Sequence, residues 1–262
     1  GCRACGRTGG CQRIAHELAF VTKQFAPELI FIVTDTFLAM SNSEFEEFAE
    51  MYQDYRLPFW MNTRAETLND RNAEKLDEMN CLRVGIGIEH GNEQYRREVL
   101  KRTVSNKQIV RSFDSCVGRS FTTVANSIIG MPGETRELVF DTIDLCRQLP
   151  KDIDASGAFI FAPYHGTILR DIAVQNGYIS EDLLVTKNVT NFSMLNMPQF
   201  PPDEIVGLAR VYSLYVKMPK ELWPDIRVAE RNTEEGNRMF RRLSEEFLKN
   251  YRTIRSAPTR RP

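Results

Sequence analysis

Five short apolar runs, each followed by a polar or glycine-rich break and then by a segment of helical period, restrict this chain to one kind of architecture. The runs are residues 29–33, 59–61, 83–88, 122–129 and 158–161. Runs of this length suit strands covered on both faces, and the helical segments between them exclude a series of hairpins. Repeated strand–helix units require a parallel sheet, open or closed into a barrel. Helices are expected over 12–25, 43–55, 69–79 and 136–149, with a broken pair over 92–100 and 105–117. In the second of these, Ser43 and Glu46 have capping-box spacing, and Phe45, Phe48, Ala49 and Tyr52 share one face. After about Asn176 the rhythm stops. Residues 178–199 are irregular, two helices are expected over 202–217 and 233–251, and the segment from Met218 to Pro224 between them reads as a turn carrying Trp223.

The breaks at the ends of the runs carry the chemistry. They are Thr34-Asp35-Thr36, Asn62-Thr63-Arg64, Glu89-His90-Gly91, Gly130-Met131-Pro132-Gly133-Glu134 and Pro163-Tyr164-His165-Gly166-Thr167. In parallel β/α architectures the C-terminal strand ends share one face, and that face holds the active site. Polar loops are common anywhere, but five in succession at strand ends are not explained by loop composition. Gly85 and Gly87 inside the third run suggest close approach of a neighbour or ligand. Cys2 and Cys5, with two residues between them in a loop that opens onto a helix, can present thiolates to a metal. An ordinary thiol pair or half of a zinc knuckle is the alternative, although a second Cys/His pair at zinc spacing is missing. His90 and His165 are either substrate-facing acid–base groups or solvated loop histidines, and His16 is structural or exposed. The chain opens on Gly1 inside this motif, so it is expected to be a fragment.

The net charge of −1 exerts no long-range pull on nucleic acid or on an anionic membrane. No run reaches the apolar length of a membrane-spanning helix, so no membrane partner is expected. Six cysteines are too few and too scattered for a secreted disulfide scaffold, and Cys81, Cys116 and Cys146 fall inside or beside ordinary helix patterns as small buried hydrophobes. A reducing, cytoplasmic compartment is expected.

The ordered series Cys-x-x-Cys, Ile32-Val33-Thr34-Asp35-Thr36-Phe37, Trp60-Met61-Asn62-Thr63-Arg64-Ala65-Glu66-Thr67-Leu68, Gly87-Ile88-Glu89-His90-Gly91-Asn92, Gly130-Met131-Pro132-Gly133-Glu134-Thr135 and Ala162-Pro163-Tyr164-His165-Gly166-Thr167 resembles radical S-adenosylmethionine (SAM) enzymes. It is most similar to the branch with an N-terminal cobalamin-binding domain. The resemblance implies an α/β fold, a partial TIM-like (β/α)6 barrel lacking its first strand. Residues 1–177 would form this core, 178–251 a helical extension and 252–262 a basic frayed tail. It further implies a [4Fe–4S] cluster held by Cys-x3-Cys-x2-Cys. Cys2 and Cys5 match the last two positions; the first would fall before Gly1, so the chain by itself is expected to be inactive. The implied reaction is reductive cleavage of SAM to a 5′-deoxyadenosyl radical, used on a small-molecule substrate for methyl transfer, cyclisation or another C–H functionalisation. A flavodoxin or ferredoxin would be the reductant, and cobalamin a further cofactor on a domain outside this chain. On the same resemblance Asp35, Thr36, Asn62, Arg64, Glu89, Gly130, Phe161 and Tyr164 serve SAM, with Tyr164 and His165 as catalytic candidates.

Three other readings compete. An RNA-modifying radical SAM protein would want a basic RNA-binding module, which is not visible. A degenerate β/α scaffold would explain the missing cysteine. A TIM-barrel hydrolase or aldolase would want a lysine or a His/Asp metal cluster at the strand ends, and neither is found.

Overall fold

A computed structural model describes residues 10–151, 153, 157–185 and 192–255, with side chains to residue 250. The elements run α1 (Gly10–Phe25), β1 (Ile30–Ile32), α2 (Asn42–Tyr52), β2 (Phe59–Arg64), α3 (Asp70–Glu78), β3 (Cys81–Glu89), α4 (Glu93–Glu98), α5 (Asn106–Asp114), β4 (Thr122–Ile129), α6 (Arg136–Gln148), β5 (Ala158–Ile160), α7 (Ile168–Gln175), α8 (Pro202–Lys217), α9 (Trp223–Ala229) and α10 (Glu234–Arg255). The five strands are parallel and form one sheet in the order β1-β2-β3-β4-β5. Consecutive order with a helical crossover at each step is the topology of an incomplete β/α barrel, as expected. No helix among the described residues is long and apolar enough to cross a membrane.

The chain divides into two compact units: Gly1–Ile88, Val104–Ala125 and Leu149–Asp154 in the first, Glu89–Thr103, Asn126–Gln148 and Ala155–Pro262 in the second. In the first unit, alternate residues of β2 and β3 are buried against helices: Phe59, Met61 and Thr63, then Val84, Ile86 and Ile88. Phe37, Phe45, Phe48, Tyr52 and Phe59 form an aromatic cluster with centroids 5.2–6.3 Å apart, Phe48 stacked on Tyr52 and three other pairs edge-on. The buried face of α2 is the one expected, but its cap is not. Ser41, rather than Ser43, accepts the Glu44 amide, and Glu44 returns to the Ser41 amide at 2.7 Å. Glu46 instead pairs with Arg71 and Lys75, tying α2 to α3. The run 29–33 is also less covered than expected. Phe31 is 45% and Val33 81% exposed, because β1 is a terminal strand that pairs only with β2 among the described residues.

In the second unit α8 is the central helix, with Ile205, Leu208, Val211, Tyr212 and Tyr215 buried. The Arg136 guanidinium binds both oxygens of Glu230 at 2.7 and 2.9 Å and Glu204 at 3.0 Å. Arg147 donates to the carbonyls of Tyr215, Val216 and Met218, groups a helix C-terminus leaves without partners. The segment expected as a turn at Trp223 is a 3-10 turn over Lys220–Leu222 that leads into α9, with Pro224 inside its first turn, where proline is tolerated. α10 continues to Arg255, past the expected end at Tyr251.

The interior cysteines fit the reading of them as packed hydrophobes. Cys81 is 3% exposed and burial pushes its thiol up to about 12. At pH 8 its thiolate fraction is then about one in ten thousand. Iodoacetamide is expected to leave Cys81 unlabelled in the native protein and to label it in denaturant, as followed by peptide mass spectrometry. Equal labelling rates in both states would show that the site is open.

Candidate active site

The first unit brings four of the expected residues together. The loop after β1 is stitched to the end of β2: the Phe37 amide donates to Asn62 O at 2.9 Å, and the Leu38 amide to Thr63 Oγ1 at 3.4 Å. Thr63 and Thr67 share a 2.7 Å hydrogen bond, and the Thr67 hydroxyl donates to Arg64 O at 2.8 Å. Asp35 and Thr36 therefore lie in a loop fixed to the strand that carries Asn62 and Arg64. Asp35 is exposed and Thr36 buried. Strand alternation puts Asn62 and Arg64 on the face opposite the buried Met61 and Thr63. Their partners on β3 are Gly85 and Gly87, so no Cβ occupies the space beside either side chain. Arg64 is exposed and has no ion-pair partner among the described residues. An open guanidinium and an amide over a glycine floor suit a polar ligand carrying a carboxylate.

In the second unit, Glu89 ends β3 with φ at +61°, a left-handed conformation uncommon outside glycine, asparagine and aspartate. Its Oε1 accepts from Arg102 Nη1 at 3.1 Å. His90 is neither substrate-facing nor solvated. It is fully buried, its ring stacks on Tyr95 at 4.3 Å, Nδ1 accepts the Asn92 amide at 3.0 Å, and Nε2 lies 3.1 Å from Glu134 Oε1. That last approach is an electrostatic contact and not an aligned hydrogen bond. Glu134 Oε2 accepts the amides of Gly130 at 2.5 Å and Met131 at 3.1 Å. Those two donors are thus engaged within the turn. Burial drives the Glu134 carboxyl upward in pKa, opposed by His90 and the two amides.

Beyond β5, the Phe161 amide donates to Ile129 O at 2.8 Å, and the Phe161 side chain is buried. Tyr164 is exposed, and so is His165 beside it. Arg170, buried under this loop, donates to Pro163 O, Glu181 O and Leu183 O at 2.8–2.9 Å and clamps two segments. His16 is exposed on α1. Cys2 and Cys5 lie outside the described residues; Cys11 is buried in the first turn of α1. Among the described residues no group of three or more His, Cys, Asp or Glu is arranged to hold a metal.

Two polar residues near the strand exits escaped the sequence reading. Arg102 stands thirteen positions after its partner Glu89, with no local pattern to join them. Asn126 is half-buried on β4 between the fully buried Ala125 and Ser127, on the alternate face with Ile128. Its signal was available: one amide among apolar residues at a strand position that alternates away from the core.

A model of the radical SAM superfamily matches residues 11–146, just over half of the chain. The uncharacterized methyltransferase PH0819 of Pyrococcus horikoshii is 26% identical over 221 residues, covering 82% of this chain and 46% of the relative. Among solved structures, the radical SAM methyltransferase TsrM from Kitasatospora setae, with cobalamin and a [4Fe–4S] cluster bound, superposes with a TM-score of 0.54 at 14% identity. That match covers 90% of this chain and 55% of TsrM. OxsB with aqua-cobalamin and SAM bound gives 0.55 at 12% identity over 93% of this chain and 42% of OxsB. Coproporphyrinogen III oxidase from Escherichia coli gives 0.53 at 13% over 78% and 46%. At these identities the structural likeness concerns the fold, and the chain spans about half the length of the relatives it matches. The ordered strand-end motifs, the consecutive parallel sheet and the family match lead to one assignment: this chain belongs to the radical SAM superfamily of enzymes.

Proposed function

We propose that this chain is the catalytic core of a SAM-cleaving enzyme that transfers a methyl group or otherwise functionalises a C–H bond of a small molecule, with a [4Fe–4S] cluster and cobalamin as partners in the chemistry. The observation that carries the reading is the pair Asn62 and Arg64, presented over Gly85 and Gly87 at a parallel strand end, with no carboxylate among the described residues paired to the guanidinium. When bound, the cluster supplies the electron that breaks the sulfonium bond of SAM, releasing methionine and a 5′-deoxyadenosyl radical. Cys2 and Cys5 would be two of its ligands.

The chain's own residues would bind and orient SAM. Arg64 takes the carboxylate through a charge-assisted contact, and Asp35 with Thr36 takes the amino group. Glu89 accepts from ribose hydroxyls, with Asn126 as an additional polar group. The Gly130 turn lets backbone approach the adenosyl part, although its first two amides are engaged by Glu134 and the Met131 and Pro132 carbonyls by the Glu134 amide and Tyr95. Phe161 and Tyr164 offer aromatic surface to the adenine, with Tyr164 and His165 as candidates to move a proton or hydrogen atom. A flavodoxin or ferredoxin would deliver the electron. Methyl transfer is favoured among the reactions because the curated relative is named a methyltransferase and TsrM is one.

The parent protein, with the residues that precede Gly1, reconstituted anaerobically and given a low-potential reductant and SAM, is expected to form 5′-deoxyadenosine or S-adenosylhomocysteine. Arg64→Ala removes a contact worth roughly 1.5–3 kcal/mol, so SAM should bind about ten- to a hundredfold more weakly, with cluster content unchanged. Unchanged SAM affinity in both Arg64→Ala and Glu89→Ala would overturn the site.

A further inference from the structure

One buried carboxylate touches the exits of two neighbouring strands. Through Oε2, Glu134 holds the Gly130 and Met131 amides after β4; through Oε1 it meets His90, the residue after β3. Both side chains are fully buried. Because His90 Nδ1 accepts the Asn92 amide, the imidazole proton sits on Nε2, the nitrogen 3.1 Å from Glu134 Oε1. The His90 carbonyl accepts from Arg96, a guanidinium with no exposed surface. The neighbouring Glu89 is held in a left-handed conformation that a glutamate does not adopt without constraint.

Resting on the reading of Glu89 as a SAM ligand, we infer that the His90–Glu134 pair is a positioning device that locks the left-handed turn at Glu89 against the Gly130 turn. Its contribution is separable from that of the fold. Three other ties hold the loop after β3: Tyr95 Oη to Pro132 O at 2.9 Å joins it to the Gly130 turn, and the Gly91 amide to Thr142 Oγ1 and Asn92 Nδ2 to Asp141 Oδ2, both at 2.8 Å, join it to α6. With those intact, loss of the His90–Glu134 contact leaves the loop attached and lets Glu89 relax out of its turn. The Glu89 carboxylate, still within reach of Arg102, then loses its fixed place against the Gly130 turn, and a ligand must restore that placement on binding.

Glu134→Gln tests this. Its amide oxygen still accepts the Gly130 and Met131 amides, which turns its NH2 toward the Nε2–H of His90, donor against donor. On cluster-loaded protein, SAM affinity is expected to fall about tenfold in Glu134→Gln, and by less than about twofold when the same change is made in Glu89→Ala. Where Glu89→Ala by itself weakens SAM binding, an equal loss from Glu134→Gln in both backgrounds, or no loss in the parent background, overturns the inference. A second readout is independent of SAM. Amide exchange at residues 90–92 of the ligand-free protein should accelerate in Glu134→Gln while β3 stays protected, and unchanged exchange would equally sink the proposal. Normal SAM binding by Glu89→Ala alone, with accelerated exchange in Glu134→Gln, removes the role of Glu89 and leaves the lock standing. Should Glu134→Gln fail to fold, His90→Gln and His90→Leu replace it. The first keeps a donor toward Glu134 and should retain affinity within about threefold; the second should show the full loss.

Discussion

Alanine at Gly91 is expected to destabilise the protein more than any other single methyl group on the strand-exit loops. A Cβ there would lie 2.3 Å from Asp141 O and 2.4 Å from the Thr142 Cα, and both are backbone atoms of α6 that no rotamer change can move. The loop would have to lift from the helix, breaking the Gly91–Thr142 and Asn92–Asp141 hydrogen bonds with it. The expected cost is more than about 3 kcal/mol, which lowers the melting temperature by roughly 6–12 °C. Gly133→Ala is the control. Its φ is +79°, but nothing lies within 4 Å of the new Cβ, so only the left-handed conformation is penalised, by about 1 kcal/mol. Thermal denaturation of the three proteins decides the matter. A Gly91→Ala variant that melts within about 2 °C of the parent would mean that the Glu89–Asn92 segment does not sit on α6 as described.

The second large effect concerns the cluster. Cys2→Ala or Cys5→Ala is expected to abolish iron and acid-labile sulfide after anaerobic reconstitution of the native protein, because a cubane short of a thiolate is not retained. Cys81→Ala and Cys146→Ala should keep full iron. Both are buried thiols outside any disulfide, and their loss costs packing, not ligation. Full iron content in Cys5→Ala would refute the ligand assignment and favour a non-catalytic scaffold. Brown colour that bleaches in air, present in the parent and absent from Cys5→Ala, gives the same answer by eye and by absorption.

Some features were legible because their signals are local. β4 and α8 occupy the residues expected from their patterns, 122–129 and 202–217. The period of a strand or helix is written in residues two to four apart, and those neighbours stay together in any fold. The family was legible for a related reason: each motif lies within a few residues of one strand end, and only the order of the series matters. The cap of α2 marks where local reading loses resolution. Ser41 and Glu44 have the same spacing as Ser43 and Glu46, so both pairs can form a capping box. Packing chose between them, since Arg71 and Lys75 of α3 claim Glu46 and leave Glu44 for the cap.

Local pattern, then, determined the strand and helix order, the parallel sheet, the polar strand ends and the superfamily. Tertiary structure alone decided what each strand-end residue does. His90 reads in the sequence as a loop histidine, yet it is buried on Tyr95 with Glu134 against its Nε2. Glu134 reads as the last residue of a glycine turn, yet its carboxylate takes up the turn's own amides. Glu89 reads as the first residue of a polar strand-end break, yet it ends the strand itself, Arg102 meets it and its backbone is left-handed. The Gly91 and Asn92 contacts that hold this loop join residues 51 and 49 positions apart, and the His90–Glu134 contact is of the same long-range kind. Such pairings leave no periodicity in the sequence, because they exist only once the crossover helices have brought adjacent strand exits side by side.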